Sequence, residues 1–381
     1  MALPSSGDIT LAMVNVELGR SASAPLSLND PDVREMAGRP SGQISLSDLR
    51  GKSWEKVVNL TSSSDDRLDK LFTSDVWASD RPKRVIIPSG VEIGSTSRNY
   101  AISTGLTSGG QAGSFGGQLT LENHGIISGR GGAANSGAGG DAIYSNVPGR
   151  NGQKLRIENY GTIRSGGGGG GVGGKGGTGG GGSHTYTVRD PATGDYHDKT
   201  TGNRWYVFQG NPAAGHFFTY WYWDDESIFA DSEWTSSIVK GAYTYHRGTL
   251  RSGDDVSKNW YYGIYRTSSA SANTNGGAGG NGGAGGRGQG YGQSRHTGSG
   301  GAEGVSGGTN AGKGGTGGTG GTGGTWGANG AKGNTGATGA NGNRTNGYGG
   351  AAGANGGAAG KAITNMSYVT LVNHGTIQGA Y

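Results

Sequence analysis

The chain has 381 residues, of which 86 are glycine, none is cysteine and only 31% are apolar. A composition this poor in apolar residues argues against one large hydrophobic core, and the lack of cysteine excludes disulfides, thiolate metal sites and a cysteine nucleophile. The net charge of +5 is too small to indicate a nucleic-acid partner, and no stretch approaches the roughly 18 apolar residues of a membrane span, so membrane insertion is not expected either.

Residues 1–83 contain short elements that we expect to attach the protein to another chain. The pattern Ser-Gly-x-Ile-Thr/Ser-Leu occurs at residues 6–11 and again at 41–46, and Asp30-Pro31 predicts a capped helical turn. Such short elements cannot build an independent core, so we expect them to bury apolar side chains against a partner, with a small self-packed domain as the alternative. The apolar residues expected to make this attachment are Ile9, Leu11, Val14, Ile44, Leu46 and Leu49.

A longer repeat occurs three times, at residues 119–129, 155–166 and 369–379. Each copy has alternating apolar residues, then Asn, His or Tyr, Gly, and an Ile two residues further on. This order predicts a strand, a tight turn and a second strand. Repeated short strands are typical of a β-prism or of a stack that resembles a parallel β-helix.

The positions of the repeats predict how the chain is organised. Two copies lie in a β-repeat base at residues 84–165, and the third closes the chain at residues 361–381. We therefore expect the glycine-rich region between them to be a long excursion that leaves this base and returns to it. His124 and His374 occupy matching positions in the repeat, and we interpret them as turn residues, because no third ligand at suitable spacing supports a metal pair.

Glycine recurs at every third position from residue 312 to 342, and shorter runs keep the same step within residues 166–182 and 273–360. A period of three fits neither an α-helix nor a strand, but it fits an extended helix with three residues per turn. Collagen is excluded because all nine prolines lie at or before Pro212. The runs therefore predict a bundle of polyglycine II helices, with a flexible linker as the alternative. Turns are predicted at Trp326 and at residues 343–348.

Residues 183–272 differ in composition from the glycine runs that flank them. Aromatic stretches separated by turn residues predict a small inserted antiparallel β domain. Its rings either form the core of a small sheet or lie exposed as a recognition surface, and both interpretations stay open. No motif fixes a spacing among the carboxylates from Asp224 to Glu233, so we interpret them as a solvated rim and predict no enzyme, metal or cofactor. The predicted fold class is thus mainly β plus a polyglycine II helix bundle: a short β-repeat base, a glycine-rich sandwich and a small inserted antiparallel β domain.

The segments VIIPSGVEI and LTLENHGIISGRGG, followed by glycine runs, resemble the tip adhesins of the long tail fibres of T-even-type bacteriophages. The resemblance covers roughly residues 84–182 and 273–381. In that family an N-terminal part attaches to the fibre, stacked polyglycine helices form a rigid head, and loops between the glycine runs contact outer-membrane proteins or surface glycans. The resemblance implies a non-enzymatic virion protein of the phage tail, made in the host cytoplasm, that docks on other tail proteins and binds the host cell.

The resemblance also makes the aromatic domain and the loops that end the glycine runs candidate receptor contacts. The insertion is much longer than the loops of that family, so contacts cannot be copied across. Two alternatives remain: a purely structural virion component, such as a tail-tip plug or head decoration, and an ice-binding protein whose threonine rows order water. The N-terminal attachment segment argues against the last. The candidate receptor-binding residues are Trp221, Tyr222, Trp223, Trp234, Tyr291, Trp326 and Tyr348.

Overall fold

Strands dominate the structure, and many of them lie in parallel sheets. The computed structural model describes residues 2–97, 99–105, 113–190, 195–199, 204–207, 220–223, 237–240, 243–254 and 259–381, with side chains described outside residues 189–266. Within this part of the chain the α-helices are α1 (Leu11–Glu17), α2 (Pro31–Ala37) and α3 (Ser74–Ala78). None of the helices there is long and apolar enough to cross a membrane.

Three parallel sheets, whose strands are numbered in chain order, form what we call the base. The first sheet contains, in order, β1 (Lys56–Asn59), β4 (Lys83–Ile87), β7 (Leu119–Asn123), β10 (Leu155–Asn159) and β20 (Val369–Asn373). The second contains β2 (Ser63–Ser64), β5 (Glu92–Gly94), β8 (Ile126–Ser128), β11 (Thr162–Arg164) and β21 (Thr376–Gln378). The third contains β3 (Asp66–Arg67), β6 (Tyr100–Ser103), β9 (Asp141–Tyr144) and β19 (Ile363–Thr364).

Each turn of the chain through the base adds a strand to successive sheets, and we call one such turn a rung. Equivalent residues of successive rungs pair in register, so the alternating apolar residues of the repeat stack in columns. Val85, Leu121 and Ile157 form one such column, and all three are fully buried. This is why a sequence without a domain-sized apolar stretch still builds a core: each rung contributes only a few apolar side chains.

The Asn of the repeat forms a buried ladder. Asn123 Nδ2 donates to Asn159 Oδ1 at 2.7 Å, and Asn159 Nδ2 donates to Asn373 Oδ1 at the same distance. Asn123 and Asn159 are fully buried, so each unsatisfied amide would carry a desolvation cost that the ladder avoids. The repeat therefore builds a hydrogen-bonded column at the turn between the first and second sheets.

The residue after each Asn forms a second column, outside the core. The rings of His124 and Tyr160 stack with centroids 4.9 Å apart, and those of Tyr160 and His374 stack at 5.1 Å. His124 Nε2 lies 2.7 Å from Glu122 Oε1. The two histidines are thus turn residues stacked on either side of a tyrosine, and no group of side chains suited to a metal ion occurs among the described residues.

The corner between the second and third sheets lengthens from rung to rung. It consists of residue 65 in the first rung, 95–99 in the second, 129–140 in the third and 165–362 in the fourth. Because β11 and β19 pair with the neighbouring strands β8 and β9 of the preceding rung, the longest corner leaves and re-enters the base in one rung. This path corresponds to the excursion that the sequence predicts.

Most of this excursion forms a glycine block of six extended runs, which lie in two layers. We number them in chain order: run 1 (166–181), run 2 (275–289), run 3 (296–307), run 4 (311–325), run 5 (328–342) and run 6 (347–360). Main-chain hydrogen bonds place runs 2, 1 and 6 side by side in one layer and runs 3, 4 and 5 in the other. The turns at residues 326–327 and 343–345 lie where the sequence predicts them.

Successive residues of a run bond to different neighbours, and the cycle repeats every third residue. In run 1, the Gly170 N–H donates to Gly286 O of run 2 at 2.7 Å, and the Gly171 N–H donates to Ala331 O of run 5 at 2.9 Å. Gly173 again donates to run 2, at 2.8 Å to Gly283 O. Runs 1, 2 and 4 carry glycine at two of every three positions, whereas runs 3, 5 and 6 carry it regularly at one. Runs 1 and 4 are the central runs of their layers, and each bonds to four other runs.

Between runs 1 and 2, described residues of the excursion form an antiparallel sheet. Its strands are β12 (Gly182–Asp190), β13 (Asp195–Lys199), β14 (Arg204–Val207), β15 (Tyr220–Trp223), β16 (Ser237–Lys240), β17 (Tyr243–Asp254) and β18 (Asn259–Thr274). Their order is β15-β14-β13-β18-β17-β16, with β12 also paired to β18. The paired strands β12 and β18 connect this sheet to the glycine block, because β12 follows run 1 and β18 precedes run 2.

The N-terminal segment packs on itself, which corrects the expectation that its apolar residues lie buried against another chain. Ile9, Val14 and Leu49 are buried in one apolar cluster together with side chains of α1 and α2. Ile44 and Leu46 pack against the same cluster, whereas Leu11 is 39% exposed. As predicted, Asp30 caps a helix that starts at Pro31. The cluster forms because two short helices and a 3-10 turn cover one another, which the short repeats do not reveal.

Candidate functional site

The glycine block has two ends with different surroundings. At the near end, next to the base, lie the loop 290–295 and the turn 326–327; the Tyr291 N–H donates to Gly129 O at 3.0 Å and the Gly327 N–H to Ser165 O at 3.0 Å. At the far end lie the turns 308–310 and 343–346, together with the point where β12 leaves and β18 returns. The near end of the block therefore bonds to the base, and the far end bonds to the antiparallel sheet.

Two of the predicted receptor contacts lie at the near end and pack against the base. The ring of Tyr291 covers Gly94 so closely that a Cβ there would lie 2.1 Å from the ring. The ring of Trp326 lies 4.0 Å from the guanidinium carbon of Arg164, which also donates to Glu92 Oε1 at 3.0 Å. Tyr291 and Trp326 thus join the block to the base, and this placement argues against the receptor role that the sequence predicts for them.

Two turns at the far end hold the antiparallel sheet, and both of them bond to Ser183. The Ser183 N–H donates to Asn343 Oδ1 at 2.7 Å, and Asn343 Nδ2 donates back to Ser183 O at 2.8 Å. Asn310, from the other turn, donates its Nδ2 to the same carbonyl at 3.0 Å. Asn310 has a φ of 59°, a left-handed conformation that Asn tolerates better than most residues. We call these three residues the far-end clamp.

Further contacts hold the other parts of the same junction. Thr274 Oγ1, at the end of β18, donates to Thr309 O at 2.6 Å. The Gly181 N–H donates to Thr345 Oγ1 at 2.7 Å. Both strands that carry the sheet are therefore fixed to the block, although the turns that fix them lie far away in the sequence.

The other predicted receptor residues lie in run 6, in the antiparallel sheet or outside the described residues. Tyr348, at the start of run 6, is 67% exposed. Trp221, Tyr222 and Trp223 lie in β15, which forms one edge of the antiparallel sheet. Trp234 lies outside the described residues. The sequence thus placed candidate residues at both ends of the block, and those of the far end remain candidates.

Sequence reasoning missed the clamp residues. Asn310 and Asn343 each follow the last regular glycine of a run, at residues 307 and 342, and this interruption of the period was the available signal. It indicated a turn, but it did not indicate that the amides bond to a residue of a different segment.

A second surface suited to contact lies on the N-terminal segment. Val16 of α1 is 57% exposed and lies beside a groove of about 280 Å³, which is also lined by Leu3, Pro4 and Met13. The groove lies between α1 and the start of the chain, and Leu3 and Met13 connect it to the N-terminal cluster.

Comparison with known proteins gives a family for part of the chain. Residues 55–216 match the family described as phage tail fibre adhesin Gp38. The crystal structure of the gp37-gp38 adhesin tip complex of the bacteriophage S16 long tail fibre matches with 15% identity and a TM-score of 0.31, covering 99% of each chain. No curated protein matches at a significant level. The matched segment contains most of the base, run 1 and the start of the antiparallel sheet, and over it the resemblance to phage tail fibre adhesins is confirmed.

Proposed function

We propose that this chain is the receptor-binding tip protein of a phage tail fibre. The adhesin match over residues 55–216 supports a tail protein that serves host attachment. The observation that carries the finer proposal is the far-end clamp, because it holds the antiparallel sheet at the end of the block opposite the base. In this proposal, the far end of the block presents the sheet to the receptor, and the part of the chain on the side of the base attaches to the fibre.

The glycine block acts as a stiff spacer made of polyglycine II helices. The three-residue cycle of hydrogen bonds to different neighbours supports this helix type, which has three residues per turn. At about 3.1 Å per residue, a run of 15 residues spans about 45 Å. A spacer that is already ordered adds no ordering cost when the receptor binds, so the recognition surface is preorganised.

The receptor, an outer-membrane protein or surface glycan, contacts the antiparallel sheet and the adjoining far-end turns. Tyr and Trp supply large contact area at low rotamer cost, and β15 carries four of them in succession at the edge of the sheet. Tyr348 adds an exposed ring at the start of run 6. This interaction needs no chemistry on the receptor, so the protein is a binding protein and not an enzyme.

Attachment to other tail fibre proteins takes place through the N-terminal segment. Leu11 and Val16 are exposed on α1, next to the apolar groove lined by Leu3 and Met13. We assign these side chains, rather than the buried Ile9, Val14 and Leu49, to the contact with the fibre.

The proposal is tested with purified full-length protein and a variant in which residues 184–273 are replaced by a short Gly-Ser link. Both forms are labelled and added to cells on which the phage grows. The full-length protein should bind and should compete with phage adsorption, whereas the variant should do neither. Hydrogen exchange over runs 1 to 6 serves as the control that the block remains folded in the variant.

If neither form binds, or if the variant binds as well as the full chain, receptor recognition by the sheet is rejected. Binding of neither form, with incorporation of both into virions, is the result expected of a purely structural component.

A further inference from the structure

We propose that Asn343 is a positioning residue that sets the direction in which the antiparallel sheet leaves the glycine block. This inference rests on the proposed function, since the direction of the sheet matters only if the sheet meets a receptor. It is drawn from the hydrogen bonds that the Asn343 side chain makes where the block meets the sheet.

Asn343 uses both atoms of its amide on one residue of another segment. Its Oδ1 accepts from the Ser183 N–H at 2.7 Å and its Nδ2 donates to Ser183 O at 2.8 Å. Two bonds to the same residue fix its rotation as well as its position, which a single bond does not. A side chain exposed on a turn would otherwise bond to water, so this arrangement is specific to the junction.

The main chain around Asn343 adds further hydrogen bonds to the same junction. The N–H groups of Arg344 and Thr345 donate to Gly181 O at 3.2 and 3.1 Å. The last residue of run 1 and the first residues of β12 are therefore held by one turn. Asn310 adds its bond to Ser183 O from the neighbouring turn, at 3.0 Å.

The direction of β12 at Ser183 determines the direction of the whole sheet. β12 pairs with β18 along its whole length, from Gly182 opposite Thr274 to Asp190 opposite Arg266. β18 also pairs with β13 and β17, so it lies in the middle of the strand order. A change of angle at the root of β12 therefore moves the sheet as one body.

Loss of the Asn343 side chain should leave the block folded. The runs are held together by main-chain bonds along their whole length, and none of those bonds involves this amide. Without the two side-chain bonds, the paired strands β12 and β18 gain freedom to pivot, and the receptor must restrict this motion on binding. We expect about tenfold weaker binding to cells, since ordering a mobile junction opposes association.

The test compares Asn343→Ala with Asn329→Ala. Asn329 is a matched control because its Oδ1 accepts from the Ala359 N–H at 2.8 Å, a bond of the same type at the near end of the block. Hydrogen exchange at residues 182–188 should become faster in Asn343→Ala only. Binding to host cells should weaken in Asn343→Ala only, and both variants should unfold at the wild-type temperature. Asn343→Asp, which keeps the acceptor for the Ser183 N–H, should recover part of both properties.

Unchanged exchange at residues 182–188 in Asn343→Ala would overturn the proposal, and so would equal loss of binding in both variants. Faster exchange with unchanged binding would also overturn it, because the junction would then be loosened without consequence for recognition. The exchange measurement needs no receptor, so it separates failure of this inference from failure of the adhesin proposal.

Discussion

At the scale of single residues, the base contains a column of asparagine amides that bond to one another, and two of these amides are fully buried. Asn159 both accepts from Asn123 and donates to Asn373, at 2.7 Å in each case. Asn373 is exposed in the last rung, so water can replace its partner. Asparagine at this repeat position therefore contributes more to the free energy of unfolding in the buried rungs than in the exposed last rung.

The Asn159→Ala variant should destabilise the base by about 2 kcal/mol, because it removes the ladder partner of the fully buried Asn123 amide. The Asn373→Ala variant should cost less than about 1 kcal/mol, because its site is exposed. Urea unfolding of both variants, followed by circular dichroism, measures the difference. Equal destabilisation would mean that the ladder does not stabilise the core in this way.

Asp65 forms the first and shortest corner of the base and makes stability depend on pH. Burial raises the pKa of its carboxyl group, but hydrogen bonds from Thr96 and Ser97 outweigh this and hold the pKa well below its usual range. A carboxylate whose pKa is depressed by folding stabilises the folded state above the unfolded-state pKa of about 3.9. That contribution is lost as the pH falls below this value.

The wild-type protein should therefore lose stability between about pH 4 and pH 2, with a smaller loss in Asp65→Asn. The variant should also be less stable at pH 7, because the amide nitrogen cannot accept the bonds that the second carboxylate oxygen accepts. Urea midpoints across this pH range give the comparison. An identical pH profile in both proteins would show that Asp65 does not contribute to acid sensitivity.

At the scale of elements, the distance between neighbouring runs is set by the absence of side chains. A Cβ on Gly173 would lie 1.9 Å from Gly318 O, in the opposite layer. Real Cβ atoms do not come that close to a main-chain oxygen, so a methyl group there forces the layers apart and breaks the hydrogen bonds between runs 1 and 4. By contrast, a Cβ on Gly300 would meet nothing within 4 Å.

Gly173→Ala should cost about 3 kcal/mol or more and lower the yield of folded protein, because both overpacking and broken bonds contribute. Gly300→Ala should be neutral or slightly stabilising, since alanine reduces the entropy of the unfolded chain. Thermal unfolding of the two variants decides the matter. Tolerance of alanine at both positions would contradict close contact between the layers.

The elements also show what could be read from the sequence. The period of three and the Asn-containing repeat predicted the glycine runs and the base, because both patterns follow directly from packing geometry. The ends of the block were harder, since Tyr291 and Trp326 are loop residues like Tyr348. Counting the runs outward from the base places Tyr291 and Trp326 at the near end only when the turn at 308–310 is included, and that turn is marked only by an interruption of the glycine period. A self-packed N-terminal segment was only the alternative prediction, because its helices are too short to show a clear period.

At the scale of the whole molecule, the positive charge is concentrated on the glycine block. Residues 166–181 and 275–361 contain seven basic side chains and one carboxylate, Glu303, which pairs with Lys313 at 2.9 Å. The excess is larger than the net charge of +5 of the complete chain, so the rest of the molecule is close to neutral. The basic residues are Lys175, Arg287, Arg295, Lys313, Lys332, Arg344 and Lys361.

Because bacterial surfaces are rich in phosphate and carboxylate groups, this charge should speed the approach of the protein to the cell. Binding should slow several-fold between about 0.05 and 0.3 M salt, as screening shortens the range of the interaction. The double variant Lys175→Gln, Lys332→Gln should show a weaker salt dependence, whereas Lys52→Gln, Lys56→Gln on the N-terminal part should behave as the wild type. An equal salt dependence in all three proteins would rule out steering by the block.

The corner at residues 165–362 has a consequence for how such proteins change over time. The strands before and after it, β11 and β19, belong to a single rung. Both pair with strands of neighbouring rungs, so the base does not depend on the residues between them. Recombination that replaces only this stretch of the gene would give the same base a different head. If the head carries receptor recognition, as proposed, such an exchange would change the host range and leave the N-terminal segment, the proposed contact with the fibre, unchanged.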